Sequence, residues 1–121
     1  MFRGKKVCQS ETPWTEGYFI EIDGKSYIYN WTFHEVIPET VGEYIGYPDR
    51  NVKKIHEGDI HENKGNYFVV LLGWFVDAAT NKKKYGWHIK NKHNKCFPLD
   101  GTEANSINIV GNIFDNADLL K

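Results

Sequence analysis

Residues 18–30 read Tyr-Phe-Ile-Glu-Ile-Asp-Gly-Lys-Ser-Tyr-Ile-Tyr-Asn, which is the pattern of a β-hairpin. Hydrophobicity alternates along residues 18–22 and again along residues 26–30, as it does in strands that bury one face. Between the two runs stand Asp23 and Gly24, which tolerate the positive φ angles that a tight primed turn requires. We therefore predict two antiparallel strands joined at Asp23-Gly24.

Short β-type segments continue along the rest of the chain. We predict further strands at residues 31–37, 40–45, 67–76, 85–90 and 107–110. Helical periodicity is nearly absent, and the best candidate for a helix is residues 116–121, with Asp115 or Asn116 as its N-cap. Many short strands with regular turn residues indicate a mainly β, barrel-like fold.

The composition is that of an ordinary globular protein that is rich in aromatic residues. The chain has 121 residues, of which 40% are hydrophobic and 15% aromatic, and its formal net charge is −1. The molecule as a whole therefore has no field that would attract polyanions. The lysines are nevertheless concentrated in residues 82–95.

The two cysteines, Cys8 and Cys96, lie near opposite ends of the chain. The N-terminal residues show no signal-peptide pattern, so we expect a cytoplasmic protein with both thiols reduced. The longest apolar run, residues 67–76, is too short to span a bilayer.

Residues 57–60, Glu-Gly-Asp-Ile, have the character of a tight corner at the entry to a strand. An aspartate in such a corner can accept hydrogen bonds from neighbouring backbone amides. On one continuous strand, even-numbered residues 56–60 would face one side and odd-numbered residues 57–61 the other.

Three motifs in order carry a family resemblance: Pro-Glu-Thr-Val-Gly at residues 38–42, Glu-Gly-Asp-Ile at 57–60 and Val-Gly-Asn-Ile at 110–113. With them the chain resembles the YopX family, small proteins encoded mainly by phages and prophages, over nearly its full length. The resemblance implies an N-terminal β-hairpin region, residues 1–41, followed by an SH3-like barrel, residues 42–121. It supplies no catalytic residue. A structural role is expected for the turn and corner residues Gly42, Gly46, Asp49, Gly58, Asp59, Gly111 and Asn112.

The chain departs from the family pattern at two positions. Val52 stands where the family usually has glycine after the asparagine of a turn. Because valine disfavours positive φ, we expect another turn type or a bulge there. His56 stands where the family usually has an aromatic residue, so the ligand preference of this member would differ if that position lines a binding surface.

Catalytic and metal-binding constellations receive little support from the sequence. None of the serines, Ser10, Ser26 and Ser106, stands in a nucleophile-elbow setting. Cys96 with His88 or His93 offers a thiolate pair, against which a buried structural cysteine is the favoured interpretation. We predict no catalytic residue and no cofactor.

His56 and His61, with Glu57 and Asp59 between them, are the nearest approach to a metal site. A five-residue offset on one strand would point the two rings to opposite faces, and turn histidines explain the same residues. We predict no metal, although the sequence leaves this pair open.

The basic and aromatic residues of segment 74–95 give the clearest functional signal. Barrels that hold single-stranded nucleic acid pair stacking aromatic rings with lysines. The candidate ligand-binding residues are Trp74, Tyr85, Trp87, Lys82, Lys83, Lys84, Lys90 and Lys92. The same pattern fits a half-buried strand followed by a solvated lysine loop.

Two functions follow as hypotheses. The first is a non-enzymatic phage or prophage accessory protein that binds a host or phage protein and self-associates, because an aromatic-rich barrel must cover its strand edges. The alternative is a nucleic-acid or nucleotide binder that uses residues 74–95. We expect no membrane partner.

Overall fold

The computed structural model describes residues 1–101 and 106–121 and confirms the mainly β fold. The described residues form eleven strands, in chain order β1 (Phe2–Lys5), β2 (Trp14–Ile22), β3 (Lys25–Tyr29), β4 (Phe33–Val36), β5 (Gly42–Pro48), β6 (Lys54–His56), β7 (Asp59–Asn63), β8 (Asn66–Val76), β9 (Lys83–Asn91), β10 (Cys96–Pro98) and β11 (Ile109–Asn112). The chain divides into two compact units, Met1–Tyr44 and Ile45–Lys121.

The first unit is an antiparallel sheet in the order β4-β3-β2-β1, with the start of β5 on the free edge of β1. The chain just beyond β1 also pairs with the other end of the sheet. Lys6 forms a bridge with Val36, and the N–H of Ile37 donates to the Lys5 carbonyl at 2.8 Å. The four strands are therefore closed into a ring, which leaves β4 with less free edge than an open sheet would have.

The inside of this ring is tightly packed. Ile28 and Val36 are fully buried there, and Gly17 is buried close to them. A Cβ atom at Gly17 would clash with the backbone carbonyl oxygen of Tyr29. The strands approach so closely at this point that only glycine fits.

The hairpin predicted at residues 18–30 is confirmed. Asp23 and Gly24 have φ angles of 52° and 79°, and the register pairs Ile22 with Lys25 and Tyr18 with Tyr29. Two positive φ angles in succession are the signature of a type I′ turn, whose twist matches that of the flanking strands.

Two predicted strands of the first unit were placed too early. The strand expected at residues 31–37 begins at Phe33, because Trp31 has a φ of 80° in a turn and is 92% exposed. The strand expected at residues 40–45 begins at Gly42, after a 3₁₀ turn at Pro38–Thr40. Proline at the start of that turn, and the Thr40 hydroxyl bonded to the Ile37 carbonyl at 2.6 Å, favour the turn over a strand.

The second unit contains a sheet in the order β10-β9-β8-β7-β11. Its longest ladder joins β8 to β9 and runs from the pair Phe68–Asn91 to the pair Val76–Lys83. The core beneath it consists of buried aliphatic side chains, namely Ile55, Val70, Leu99, Ile107 and Ile109.

A turn at Glu57-Gly58 joins β6 to β7, so the expected alternation of faces across residues 56–61 was wrong. His56, Ile60 and His61 are all buried, and because Ile60 and His61 are consecutive residues of β7, that strand is covered on both faces. Gly58 has a φ of 91°, and the Asp59 carboxylate accepts the N–H of His56 at 2.8 Å across the corner. Because His56 is buried, that position does not line an exposed surface.

The turn after β5 also differs from the expectation. Val52 itself takes a positive φ of 64°, contrary to the expectation that valine would avoid this conformation. Asp49 imposes this geometry: its Oδ1 accepts the N–H groups of Asn51 and Lys53, both at 2.8 Å. Its Oδ2 accepts the N–H of Ile109 at 3.0 Å and thereby ties the turn to β11.

The helix expected at residues 116–121 is a 3₁₀ turn at Ala117–Leu120. Asn116 does not cap it with its side chain, because its Oδ1 accepts the Asn112 N–H at 3.1 Å instead. The Asn112 side chain in turn accepts the N–H groups of Phe114 and Asp115, both at 2.9 Å. These local bonds hold a tight turn that competes with an α-helix.

Candidate functional site

The end of the β8–β9 ladder carries an exposed aromatic pair. Trp74 lies opposite Tyr85 in the register, with ring centroids 5.2 Å apart and an interplanar angle of 73°. The two side chains are 66% and 64% exposed. Large rings left in water by a regular strand pair are not needed for the core, so they are available to contact a ligand.

Two lysines adjoin this pair. The Lys83 ammonium lies 5.0 Å from the centre of the Trp74 ring, a cation–π contact. Lys82 is exposed in the adjoining loop. We call Trp74, Val76, Lys82, Lys83 and Tyr85 the hairpin tip.

In the part of the chain that the structure describes, Lys84, unlike Lys82 and Lys83, forms an ion pair with a carboxylate. Its Nζ donates to Asp77 Oδ2 at 2.7 Å, and Asp77 Oδ1 accepts the N–H of Ala79 at 2.9 Å. The hydrogen bond from Lys84, together with the amide of Ala79, lowers the pKa of Asp77 below its ordinary value of 3.8. Asp77 is therefore ionised at neutral pH and neutralised by Lys84, which leaves the charge of Lys82 and Lys83 uncompensated by this carboxylate.

The remaining residues of the predicted segment lie elsewhere. Trp87 packs against the core of the second unit, and Lys90 is half-buried between β8 and β10. Lys92 follows the far end of β9, about 26 Å from Lys84 at roughly 3.3 Å per strand residue. The structure thus brings together Trp74, Tyr85, Lys82 and Lys83, and separates the other four.

Lys92 lines a separate cavity of about 170 Å³. Its other walls come from the β7–β8 turn at Gly65 and Asn66, from His93 and from the C-terminal 3₁₀ turn at Leu119 and Leu120. This cavity shares no lining residue with the hairpin tip.

The cysteine and histidine residues considered as a nucleophilic pair have structural contacts. Cys96 is buried, and its Sγ lies 3.9 Å from the Asn94 carbonyl oxygen. His88 stacks on Phe75 with centroids 4.3 Å apart, and its Nδ1 lies 2.9 Å from the Gly86 carbonyl oxygen.

His61 is likewise engaged by the backbone. The N–H of Asn108 lies 2.9 Å from its Nδ1, whereas the Asn108 carbonyl oxygen lies at 3.4 Å. The shorter contact assigns Nδ1 as the acceptor of a neutral ring, and burial lowers the pKa of His61 below its ordinary value of 6.5. Across residues 1–101 and 106–121, no three His, Cys, Asp or Glu side chains are grouped as metal ligands.

Sequence reasoning missed a second exposed surface, on the first unit. The register of β2, β3 and β4 places six apolar and aromatic residues on one side of the sheet: Tyr18, Ile20, Ile22, Tyr27, Tyr29 and Phe33. We call this set the aromatic face. Tyr18 is 68% and Phe33 56% exposed, and the rings of Tyr29 and Phe33 are 4.9 Å apart.

A signal for this face does exist in the sequence. Residues 18–22 contain one polar residue, Glu21, so the alternation there is incomplete and this end of β2 is apolar on both sides. A strand that is apolar on both sides has a second surface to cover. The charged positions beside these residues are Lys25, opposite Ile22, and Glu35, opposite Tyr27. Farther along the same side lie Glu16 of β2 and the β1 residues Arg3 and Lys5, so the side carries both signs of charge and is close to neutral.

The comparisons with known proteins agree with the motifs. Among the residues that the structure describes, no helix has the length and apolarity needed to cross a membrane. A search of curated proteins found no significant match. The family model described as "YopX protein" matches residues 4–121, nearly the whole chain. This chain therefore belongs to the YopX family.

Proposed function

We propose that this protein is a non-enzymatic interaction module that self-associates through the aromatic face. In this proposal it is a phage- or prophage-encoded accessory protein that acts in the cytoplasm of a bacterial host, and assembly precedes or accompanies the binding of a host or phage protein.

The exposed aromatic face is the observation that carries the proposal. A contiguous patch of six large apolar side chains is unusual on a monomeric protein and marks a surface that another protein covers. Tyrosine and phenylalanine are also the side chains that interfaces favour, because they bury much area at low cost in side-chain entropy.

Its charge favours a second copy as the occupant. The side carries Lys25 and Glu35 beside the aromatic residues, and Arg3, Lys5 and Glu16 farther along, so both signs of charge are present. Two copies can therefore meet without strong like-charge repulsion. In a two-fold arrangement one patch faces itself, which is the commonest form of homo-oligomer.

The non-enzymatic part of the proposal has separate support. The side chains best suited to chemistry make structural contacts: Cys96 with the Asn94 carbonyl, His88 with Phe75 and Gly86, and His61 with Asn108.

Sedimentation equilibrium tests the proposal. We expect the wild-type protein to be a dimer or larger, and the double variant Tyr18→Ser/Phe33→Ser to be monomeric, because it removes the two most exposed side chains of the face. The matched control is Trp74→Ser/Tyr85→Ser, which removes an equally exposed aromatic pair from the second unit and should leave the assembly unchanged. A monomeric wild-type protein, or an unchanged mass in the first double variant, would refute self-association through this face.

We further propose that the second unit is an SH3-type barrel. Its support is the five-stranded antiparallel sheet and the way that the end of β8 curls back to β10, where Asp77 bridges Cys96 and the N–H of Ala78 donates to the Cys96 carbonyl at 2.8 Å. Superposition of an experimental structure of residues 45–121 on known SH3 barrels would decide it.

A further inference from the structure

We infer that the hairpin tip is a stacking site for single-stranded nucleic acid, independent of the aromatic face. Trp74 and Tyr85 would stack on bases, and Lys82 and Lys83 would contact the adjacent phosphates.

The aromatic pair has the geometry that base stacking needs. Trp74 and Tyr85 are both about two-thirds exposed, and their rings meet at 73°, edge to face, so they do not stack on each other. An edge-to-face pair leaves ring faces open that a closed parallel stack would cover. Proteins that bind single strands present such rings because every base has a π face.

The charges around the pair are of the matching sign. Lys83 already lies 5.0 Å from the Trp74 ring centre, so its ammonium is within reach of a phosphate beside a base stacked there. The nearby carboxylate of Asp77 is 2% exposed and paired with Lys84 at 2.7 Å. It therefore does not cancel Lys82 and Lys83, although the whole chain has a net charge of −1.

This combination fits a single strand better than other partners. An apolar protein surface would have to strip water from Lys82 and Lys83 without compensation. An acidic peptide would satisfy the lysines but leave Trp74 and Tyr85 without a stacking partner. A duplex presents its phosphates but keeps its bases stacked inside, where the rings cannot reach them without unpairing.

The test is fluorescence anisotropy of a labelled oligothymidylate with the full-length protein at low salt. Trp74→Ala and Tyr85→Ala should each weaken binding about 5- to 150-fold, which corresponds to the loss of one stacked base. Trp31→Ala is the control, because Trp31 is 92% exposed and lies in the first unit. The affinity of this variant for the oligothymidylate should match that of the wild type. Thermal unfolding should show that all variants keep the folded structure, since these side chains lie outside the core.

A second pair of variants tests the phosphate contacts. If two phosphates are contacted, log affinity should fall against log salt with a slope of about −1.4. Lys82→Gln/Lys83→Gln should flatten this slope. The control Lys53→Gln/Lys64→Gln, which removes two exposed lysines outside both surfaces, should preserve it.

Four results would overturn the inference. They are the absence of saturable binding at low salt, equal affinity for a duplex of the same length, equal loss in the Trp74→Ala and Trp31→Ala variants, and equal affinity for polyglutamate. The double variant Tyr18→Ser/Phe33→Ser should still bind the oligonucleotide, so failure of the proposed self-association is distinguishable from failure of this site.

Discussion

Replacing Val52 with glycine should stabilise the protein by about 1 kcal/mol. Val52 has a φ of 64°, a conformation that costs a residue with a Cβ atom about 1–2 kcal/mol of stability and a β-branched residue at least as much. The side chain is 82% exposed, so removing it sacrifices almost no packing. Glycine also raises the conformational entropy of the unfolded chain, which reduces the net gain in stability by about 0.5–1 kcal/mol. The Val52 N–H, bonded to the Asp49 carbonyl at 3.1 Å, is retained.

Urea unfolding followed by tryptophan fluorescence measures the effect. At an m value of about 1–2 kcal/mol/M the midpoint should rise by about 0.5–1 M. Val52→Ala is the control, because alanine removes the branched side chain but keeps the Cβ atom, and it should recover only part of the gain. If Val52 instead had an ordinary negative φ, glycine would lower stability by about 0.5–1 kcal/mol. A lower midpoint for Val52→Gly would therefore refute the reasoning.

Three further predictions concern single groups. Asp49→Asn should lower the free energy of unfolding by about 2–3 kcal/mol, because an amide has one acceptor oxygen whereas the Asp49 carboxylate accepts three N–H groups with two oxygens. An unchanged midpoint in urea unfolding would contradict this. The free energy of unfolding should fall in two stages as acid is added. Below pH 6.5 the unfolded state binds more protons than the folded state because the pKa of His61 is lowered on folding, and below pH 3.8 the same holds for Asp49 and Asp77. In a pH series of urea midpoints, His61→Gln should remove only the first stage. Gly17→Ala should cost about 3 kcal/mol in thermal unfolding, because its Cβ would clash with the Tyr29 carbonyl. The control is Gly101→Ala, whose Cβ would come no closer than 3.9 Å to the Tyr47 ring.

The sequence predicted those elements whose signals are local. The turn at Asp23-Gly24 needs two residues that accept positive φ, and the chain supplies them next to each other. The strands at residues 67–76 and 85–90 carry long β-branched and aromatic runs, and they became β8 and β9 with small extensions. Short strands such as β6 and β10 were missed, because three residues give too little pattern to recognise.

The candidate site was predicted only in part, because strand pairing brings together residues that are far apart in the sequence. Trp74 and Tyr85 are eleven positions apart, and only the β8–β9 register makes them neighbours. Trp87 lies two residues after Tyr85 and therefore on the same face of β9, but Trp87 packs against the core and Tyr85 does not. The aromatic face went unrecognised because alternation shows that a strand has two sides, not which of them the rest of the chain covers.

The Asp49 carboxylate has a consequence for how the second unit opens. It joins a turn to a strand 60 residues later, and closing a loop of that length costs about 4 kcal/mol of chain entropy. That cost must be met before β11 can dock, so we expect this contact late in folding. Since the amides of Asn51, Lys53 and Ile109 all depend on one side chain, they should exchange their hydrogens with solvent as a group, at a single common rate of opening.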